Sequence, residues 1–272
     1  LSVGMTLVIL TGGIDLSVGS ILALSGAIMA GLLQRGTELE ALNLYVGYGV
    51  PAAIAVGILV GAALGWFNGV MVTRFRVPPF IATLAMLTVA RGLTKLYTGG
   101  EAITGLGPIF VSIGSGRLLG IPNQFWIAAG IVLVAVVLLR RTRFGRYVYA
   151  VGGNEEAAQL SGLHVARVKR TVYLISGTLA AVGGLIVTSR LNSATPIAGE
   201  DLELDSIAAV VIGGTSLSGG RGSVPGTVLG ALIIGVLNSG LVIMGVDPFW
   251  QQVIKGCVIL LAVVIDRLNY KE

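Results

Sequence analysis

Gly12-Gly13-Ile14-Asp15-Leu16-Ser17-Val18-Gly19 and Gly213-Gly214-Thr215-Ser216-Leu217-Ser218-Gly219-Gly220 share the pattern G-G-x-x-L-S-x-G. Each follows an apolar run, and each leads into small and aliphatic residues. In hydrocarbon, a backbone N–H or C=O released from its helix costs several kcal/mol, so Gly and polar residues should be rare inside apolar segments. Interruptions at corresponding positions of two halves are the pattern of a transporter whose helices break beside a substrate path. Chance likeness between two Gly-rich membrane segments is the competing reading.

Of the 272 residues, 54% are hydrophobic and 11% are charged, and the mean hydropathy is +0.91. A soluble domain carries about 25% charged residues, so most of this chain belongs in lipid. The 41 glycines suit close approach of helix backbones within a bilayer. An isoelectric point near 9.6 would raise nucleic-acid binding in a soluble protein. Here basic cytoplasmic loops account for it, so membrane lipid is an expected partner and nucleic acid is not. Cys257 is the sole cysteine and lies in an apolar run, which excludes an internal disulfide and suits a buried, inert thiol. His164 is the sole histidine, so no Cys/His cluster and no metal site are expected. The chain opens on Leu1-Ser2-Val3-Gly4-Met5, inside an apolar run and without the basic flank of a signal peptide. An N-terminal truncation is the expectation.

A span needs about 20 apolar residues, fewer where a helix is broken or covered by neighbours. Residues 1–10 then read as the end of one span, and 20–33 as the helix after the first break. Further spans fall at 50–72, 80–97, 125–139, 171–188, 226–246 and 251–265, with 206–212 a re-entrant half-helix before the second break. Gln34 to Asn43, residues 98–124 and the acidic stretch Glu200 to Asp205 read as loops, and Asp266 to Glu272 as a tail. The expected fold class is all-α, a polytopic membrane helical bundle with broken or re-entrant helices. About eight spans are present of about ten, in a single transmembrane domain over residues 1–272. Placing 73–79, 140–170, 213–225 and the C-terminus on one side gathers most of the 18 Lys and Arg there, and that side is expected to be cytoplasmic.

Few polar residues interrupt the spans. Asp15 or Ser17 is placed to N-cap the helix after the first break, and Thr215, Ser216 and Ser218 occupy the same place in the second. The alternative is that Asp15, Ser17, Thr215 and Ser216 line a translocation path. An acid at a helix centre costs roughly 2.5–3.5 kcal/mol on insertion scales, and a cap or a wet cavity makes it tolerable. Asn68 and Asn238 lie inside spans, where they hydrogen-bond between helices or join that path. Lys255 and Gln251 are expected to snorkel to the outer interface, and Trp66, Trp126 and Trp250 to anchor span ends.

Residues 140–170 are the most charged stretch. Arg140, Arg141, Arg143 and Arg146 mark the exit from lipid. Asn154 before Glu155 and Glu156 reads as an N-cap followed by acids that suit the positive end of a helix dipole. Ala157, Ala158, Gln159 and Leu160 continue that helix, and Gly162 ends it. A helix of about two turns is unstable alone in water, so it packs on its own chain or on a partner. A plain connector between spans and a docking element are both open on these grounds.

The run Glu156-Ala157-Ala158 followed by Gly162 resembles the start of the "EAA" loop of bacterial ATP-binding-cassette (ABC) importer permeases. The wider run Gly152 to Gly162 resembles the ribose/xylose/galactose branch of that family, as do Gly4 to Ile9 with Gly12 to Gly19, Phe80 to Leu84, and Glu203 to Leu217. The resemblance covers essentially the whole chain. The EAA loop of other importers ends in Ile/Leu-Pro, whereas Val165-Ala166-Arg167-Val168-Lys169 stands here, a divergence that fits the monosaccharide branch. Family members also begin with a cytoplasmic tail and at least one more span.

The resemblance implies a non-enzymatic permease subunit of the bacterial plasma (inner) membrane, translocating a monosaccharide or similar small polyol. It implies three partners: an ABC ATPase subunit, a sugar-binding protein and a second permease chain, identical or paralogous. Asn154, Glu155, Glu156, Ala157, Ala158 and Gly162 are then the ATPase-coupling residues. No cofactor is expected, because ATP is bound by the partner, and the phosphate-binding pattern G-x-x-x-x-G-K-[ST] is absent from the chain. The acidic stretch Glu200 to Asp205 either meets the binding protein or is a solvated loop. An ion-gradient-driven secondary transporter of small polar solutes is the alternative function. A membrane-embedded enzyme would need a metal cluster, a Ser/His pair or paired acids.

Overall fold

The computed structural model describes residues 1–39 and 44–269. Residues 40–43 of the loop and 270–272 of the tail lie outside the described residues. The chain begins with α1 (Ser2–Leu10) and α2 (Val18–Gln34), separated by the first Gly-rich break. A hairpin of β1 (Thr37–Leu39) and β2 (Leu44–Val46) leads to α3 (Val50–Arg74) and α4 (Pro79–Thr98). Pro51 and Pro79 lie in the first turns of α3 and α4, where the missing N–H has no intrahelical partner to lose.

The expected loop 98–124 contains β3 (Ile103–Thr104), α5 (Pro108–Ser115), β4 (Arg117–Leu118) and β5 (Ile121–Pro122). Gly and Pro at its edges concealed α5, which the burial of Phe110 holds against the bundle. Next come α6 (Asn123–Arg141), α7 (Arg143–Gly153), α8 (Glu155–Leu160) and α9 (Val165–Leu191). The last elements are β6 (Ser193–Ala194), α10 (Leu202–Ile212), α11 (Val224–Ile243) and α12 (Pro248–Asn269). The fold is an all-α polytopic bundle. Among the described residues, α3, α4, α6, α9 and α11 are long and apolar enough to cross a membrane, and α2 and Pro248–Val264 are shorter apolar helices.

The central helix is α9, which packs against α1, α2, α3, α5 and α7. Its closest neighbour is α3, whose buried face reads Ala53, Gly57, Gly61, Gly65, Gly69. Small residues four apart form one stripe along a helix and let two backbones approach. A Cβ on Gly61 would lie 2.6 Å from Gly177 O and from Ala181 Cβ, and one on Gly69 would lie 2.8 Å from Arg170 Cα.

Contacts sort the connections between two ends of the bundle. At one end, the α3–α4 turn shares a groove with α8 and the start of α9, and Tyr149 of α7 reaches Gly222 of the second break. At the other end, β3 pairs with β6, and the Gln34 amide donates to Thr104 O and Gly105 O. The segments 73–79, 140–170 and 213–225 therefore do share one end. Trp126 and Trp250 stand in the first turns of α6 and α12, whereas Trp66 is about two turns inside α3, on an exposed surface.

Candidate functional site

The two breaks have the same local chemistry. Helix α1 ends with Gly12 at φ 74°; Gly12 N donates to Ile9 O and Gly13 N to Val8 O. Helix α10 ends with Gly214 at φ 80°; Gly214 N donates to Val211 O and Thr215 N to Val210 O. Both are paired-hydrogen-bond helix ends that need a left-handed residue, which glycine adopts without a Cβ clash. The equivalent glycines are Gly12 and Gly214, one position out of step with the sequence echo. The structure is back in step with the echo at Asp15 and Ser216. Ser17 N donates to Asp15 Oδ1 at 3.1 Å, and Ser218 N donates to Ser216 Oγ at 3.3 Å. These are side-chain-closed turns at matching positions.

Asp15 is fully buried, and its carboxylate is surrounded by donors. Ser17 Oγ donates to Oδ1 at 2.6 Å, and Ser176 Oγ of α9 donates to Oδ2 at 2.8 Å. Asn68 of α3 donates to Ser17 Oγ at 2.9 Å. One buried network thus joins the break to α3 and α9. Ser17 is the N-cap residue of α2, but its hydroxyl makes no cap bond, and Asp15 does not cap either. The expected cap is instead a tie between helices. Ser176 and Tyr173 belong to this network or flank it, and a Cβ on Gly13 would lie 2.5 Å from the Tyr173 hydroxyl. Polar residues within the 171–188 span were the sequence signal for both. Asp15→Ala is expected to strip three buried donors of their acceptor and lower stability by about 3 kcal/mol. Thermal unfolding of the purified protein in detergent measures this, and an unchanged midpoint would show that the network is not a tie.

The breaks meet each other at the end of α7. Gly220 N donates to Leu10 O at 3.0 Å. A Cβ on Gly219 would lie 3.0 Å from Gly12 N and from Gly152 O, and one on Gly220 would lie 2.8 Å from Gly153 Cα. Tyr149 Oη donates to Gly222 O at 2.9 Å. Burial raises the Tyr149 phenol above its ordinary pKa, against a smaller opposing effect of Arg140, so it stays a neutral donor. The sequence reads Arg143 and Arg146 as marking the exit from lipid; the structure makes them one face of a helix. Its alternation of exposed Arg143, Arg146 and Tyr147 with buried Gly145, Val148 and Val151 makes α7 amphipathic. Thr215 and Ser216 are buried in the second break, where Ser216 N donates to Arg221 O at 3.0 Å.

Helix α8 follows at once. Asn154 Oδ1 accepts from Ala157 N at 2.9 Å, which makes Asn154 its N-cap, and Gly162 at φ 83° ends it as the sequence implied. Glu155 pairs with Lys169 of α9 at 2.6 Å, and Ala158 packs into the core beneath. Glu156 and Ala157 face outward, and Leu160 is 89% exposed.

Asn238 stands apart from both breaks. It donates to Asp205 Oδ2 at 3.4 Å, and Lys255 Nζ lies 3.2 Å from the same oxygen. Lys255 turns onto α10, where a half-buried acid offers a charge partner. The acidic stretch is correspondingly not a plain loop. Glu203 and Asp205 lie in the first turn of α10, where the helix dipole favours acids. A Cβ on Gly19 of α2 would meet Gly199 O and Glu203 Oε2. Arg91 of α4 donates to Pro196 O at 2.8 Å and to Ala198 O at 2.7 Å, which draws residues 196–199 into the bundle. Cys257 is exposed rather than buried.

The family model described as branched-chain amino acid transport system / permease component matches residues 1–263. The ribose import permease protein of Bacillus subtilis (strain 168) is 53% identical, over 97% of this chain and 79% of the relative. The ribose import permease protein of Escherichia coli (strain K12) is 49% identical, over 98% of this chain and 81% of the relative. The fructose import permease protein of Rhizobium meliloti is 42% identical, over 96% of this chain and 72% of the relative. No solved structure matches the chain.

Proposed function

The chain belongs to the branched-chain amino acid transport system / permease component family, and from that premise we propose how it works as the permease of a sugar importer. It is the membrane subunit of an ABC importer, a multi-pass protein of the bacterial plasma (inner) membrane. It is not a secondary transporter, and it is not an enzyme. The substrate is a monosaccharide or similar small polyol, in keeping with the ribose and fructose import permeases that it resembles. Two permease chains form the path, a binding protein delivers the sugar, and a separate ATPase subunit supplies the energy. The whole chain acts as one permease domain with about eight passes of a ten-pass family plan, and the end carrying α7 and α8 faces the cytoplasm.

Helix α8 docks the ATPase, with Asn154 shaping its start, Ala157 and Ala158 its body and Gly162 its end, and Glu155 and Glu156 facing the partner. The observation that carries this is a six-residue helix capped, tied by an ion pair to α9, and presenting Leu160 89% exposed at its tip. So short a helix is not stable by itself, and an apolar tip held outward suits a protein partner. ATP binding closes the partner's grooves on two such helices, which pushes α7 and with it both breaks. A pore driven this way shifts between states only through differential binding of nucleotide and loaded binding protein.

Co-purification from mild detergent tests the docking role. The parent chain is expected to retain an ABC ATPase subunit, and Glu156→Arg combined with Leu160→Asp is expected to retain at least about tenfold less, one to two kcal/mol of binding. Both positions are solvent-exposed, so the variant should unfold at the parent's temperature. Equal retention by parent and variant would remove α8 from the interface.

A further inference from the structure

From the polar groups that gather between α10, α11 and α12 we infer a binding station for the polyol within the permease itself. This rests on the sugar-importer reading and deepens it. A cavity of ≈ 270 Å³ is lined by Asp201, Asp205, Gln252 and Lys255, with Leu204 and Ile259 among its apolar walls. Lys255 Nζ lies 3.2 Å from Asp205 Oδ2, Asn238 Nδ2 lies 3.4 Å from the same oxygen, and Gln252 Nε2 donates to Asp201 Oδ2 at 3.2 Å.

Holding three helices together does not require this chemistry. The Lys255 and Asp205 side chains stay 24% and 17% exposed, so their pairing contributes little to stability, and the remaining contacts of α11 and α12 with α10 are apolar. Asp201 and Gln252 are exposed, so the cluster is open to a solute. The lining is mixed: two carboxylates that accept, an ammonium that donates, and the Gln252 amide that does both. A sugar hydroxyl also donates and accepts, so one ring with several hydroxyls matches such a set, while a bare cation or anion leaves half of it unmatched. The cavity also exceeds what an isolated water needs.

Its position suits a path. Lys255 is seven residues along α12 from Pro248, about 10 Å at the helical rise. The drawn-in segment 196–199 leads directly to Asp201. On the other side of α10, Glu203 lies against Gly19 just beyond the first break. The first turn of α10 therefore stands between the cavity and the element proposed to move.

The test uses the complete importer in proteoliposomes, with binding protein and ATPase, and measures D-ribose uptake and ATP hydrolysis together. Asp201 and Gln252 are exposed in the chain, so Asp201→Asn and Gln252→Leu should fold as the parent does. The expected result is a fall of at least tenfold in ribose taken up per ATP hydrolysed, with binding-protein-stimulated hydrolysis within twofold of the parent. A proportional fall of uptake and hydrolysis would make the cluster a structural tie, and no change in either would remove it from the path. Both results would overturn the inference and leave the importer reading standing. Failure of the parent importer to move ribose, fructose or galactose would overturn the sugar reading and this inference with it. A second measurement covers any variant that folds poorly. Gln252→Cys in a Cys257→Ser background should react with a maleimide at least fivefold more slowly in D-ribose during turnover. Equal rates would exclude occupancy.

Discussion

Replacing Gly65 with leucine is expected to eliminate the folded protein from the membrane. A Cβ at that position would meet Tyr173 O and lie 3.0 Å from Gly177 Cα and N, all backbone atoms of α9. A side chain in the way can rotate; a helix backbone cannot, so α3 and α9 must separate. Overpacking where neighbours can adjust costs about 1–3 kcal/mol, and here the loss should exceed that range. Separation also weakens the contacts of Gly61 and Gly69 along the same stripe and disturbs Asn68, whose amide reaches Ser17. Native stability is only about 5–15 kcal/mol, so most of the margin goes. Gly130→Leu on α6 is the control: an added Cβ meets nothing within 4 Å there. Yield and thermal midpoint by size exclusion in detergent should collapse for Gly65→Leu and hold for Gly130→Leu. A monodisperse Gly65→Leu protein with the parent's midpoint would mean that α3 and α9 do not pack this closely.

The second large effect is expected at Gly152. A Cβ there would meet Leu10 O and stand 2.5 Å from Gly220 N, the two atoms whose hydrogen bond joins the breaks. Gly152→Val should force that bond apart and separate the end of α7 from both breaks. Helix α8 keeps its own cap and ion pair, so ATPase capture should remain. Transport should fall at least about 100-fold, equivalent to about 2.7 kcal/mol of lost coupling. Gly153→Val is the adjacent comparison, since a Cβ on Gly153 meets nothing within 4 Å, and it should transport within a few-fold of the parent. Sugar uptake by the reconstituted importer, with ATPase retention scored beside it, separates the two. A Gly152→Val importer that transports as the parent does would show that force does not pass through this junction.

Both predictions depend on glycines whose roles differ although the residue is the same. In α3 the glycine stripe recurs every fourth residue and was visible as an abundance of glycine in apolar sequence. At Gly152 nothing in the local sequence sets it apart from Gly153, and only the approach of Leu10 and Gly220 does so. Helix α8 was legible because its signals are local: a capping Asn154, two acids in the first turn and Gly162 after the last. Helix α7 was not, because its arginines mark the exit from lipid, while its buried face has meaning only against α1, α9 and the second break. The short α5 was hidden among glycines and prolines for the same reason, since Phe110 finds its cover on elements far away in the chain.

The sequence by itself determined that this is a membrane chain of helices, where most of them run, where two are broken, and which family it belongs with. Hydropathy, capping and Gly-rich interruption act over a few residues, so they can be read in order along the chain. Only the tertiary structure decided what the polar residues do. Asp15 faces Ser176, 161 residues away, instead of capping its own helix. Lys255 turns to Asp205, 50 residues away. A buried or half-buried polar group in an apolar medium must find a partner wherever the fold provides one, and the fold, unlike the cap, is a property of the whole chain.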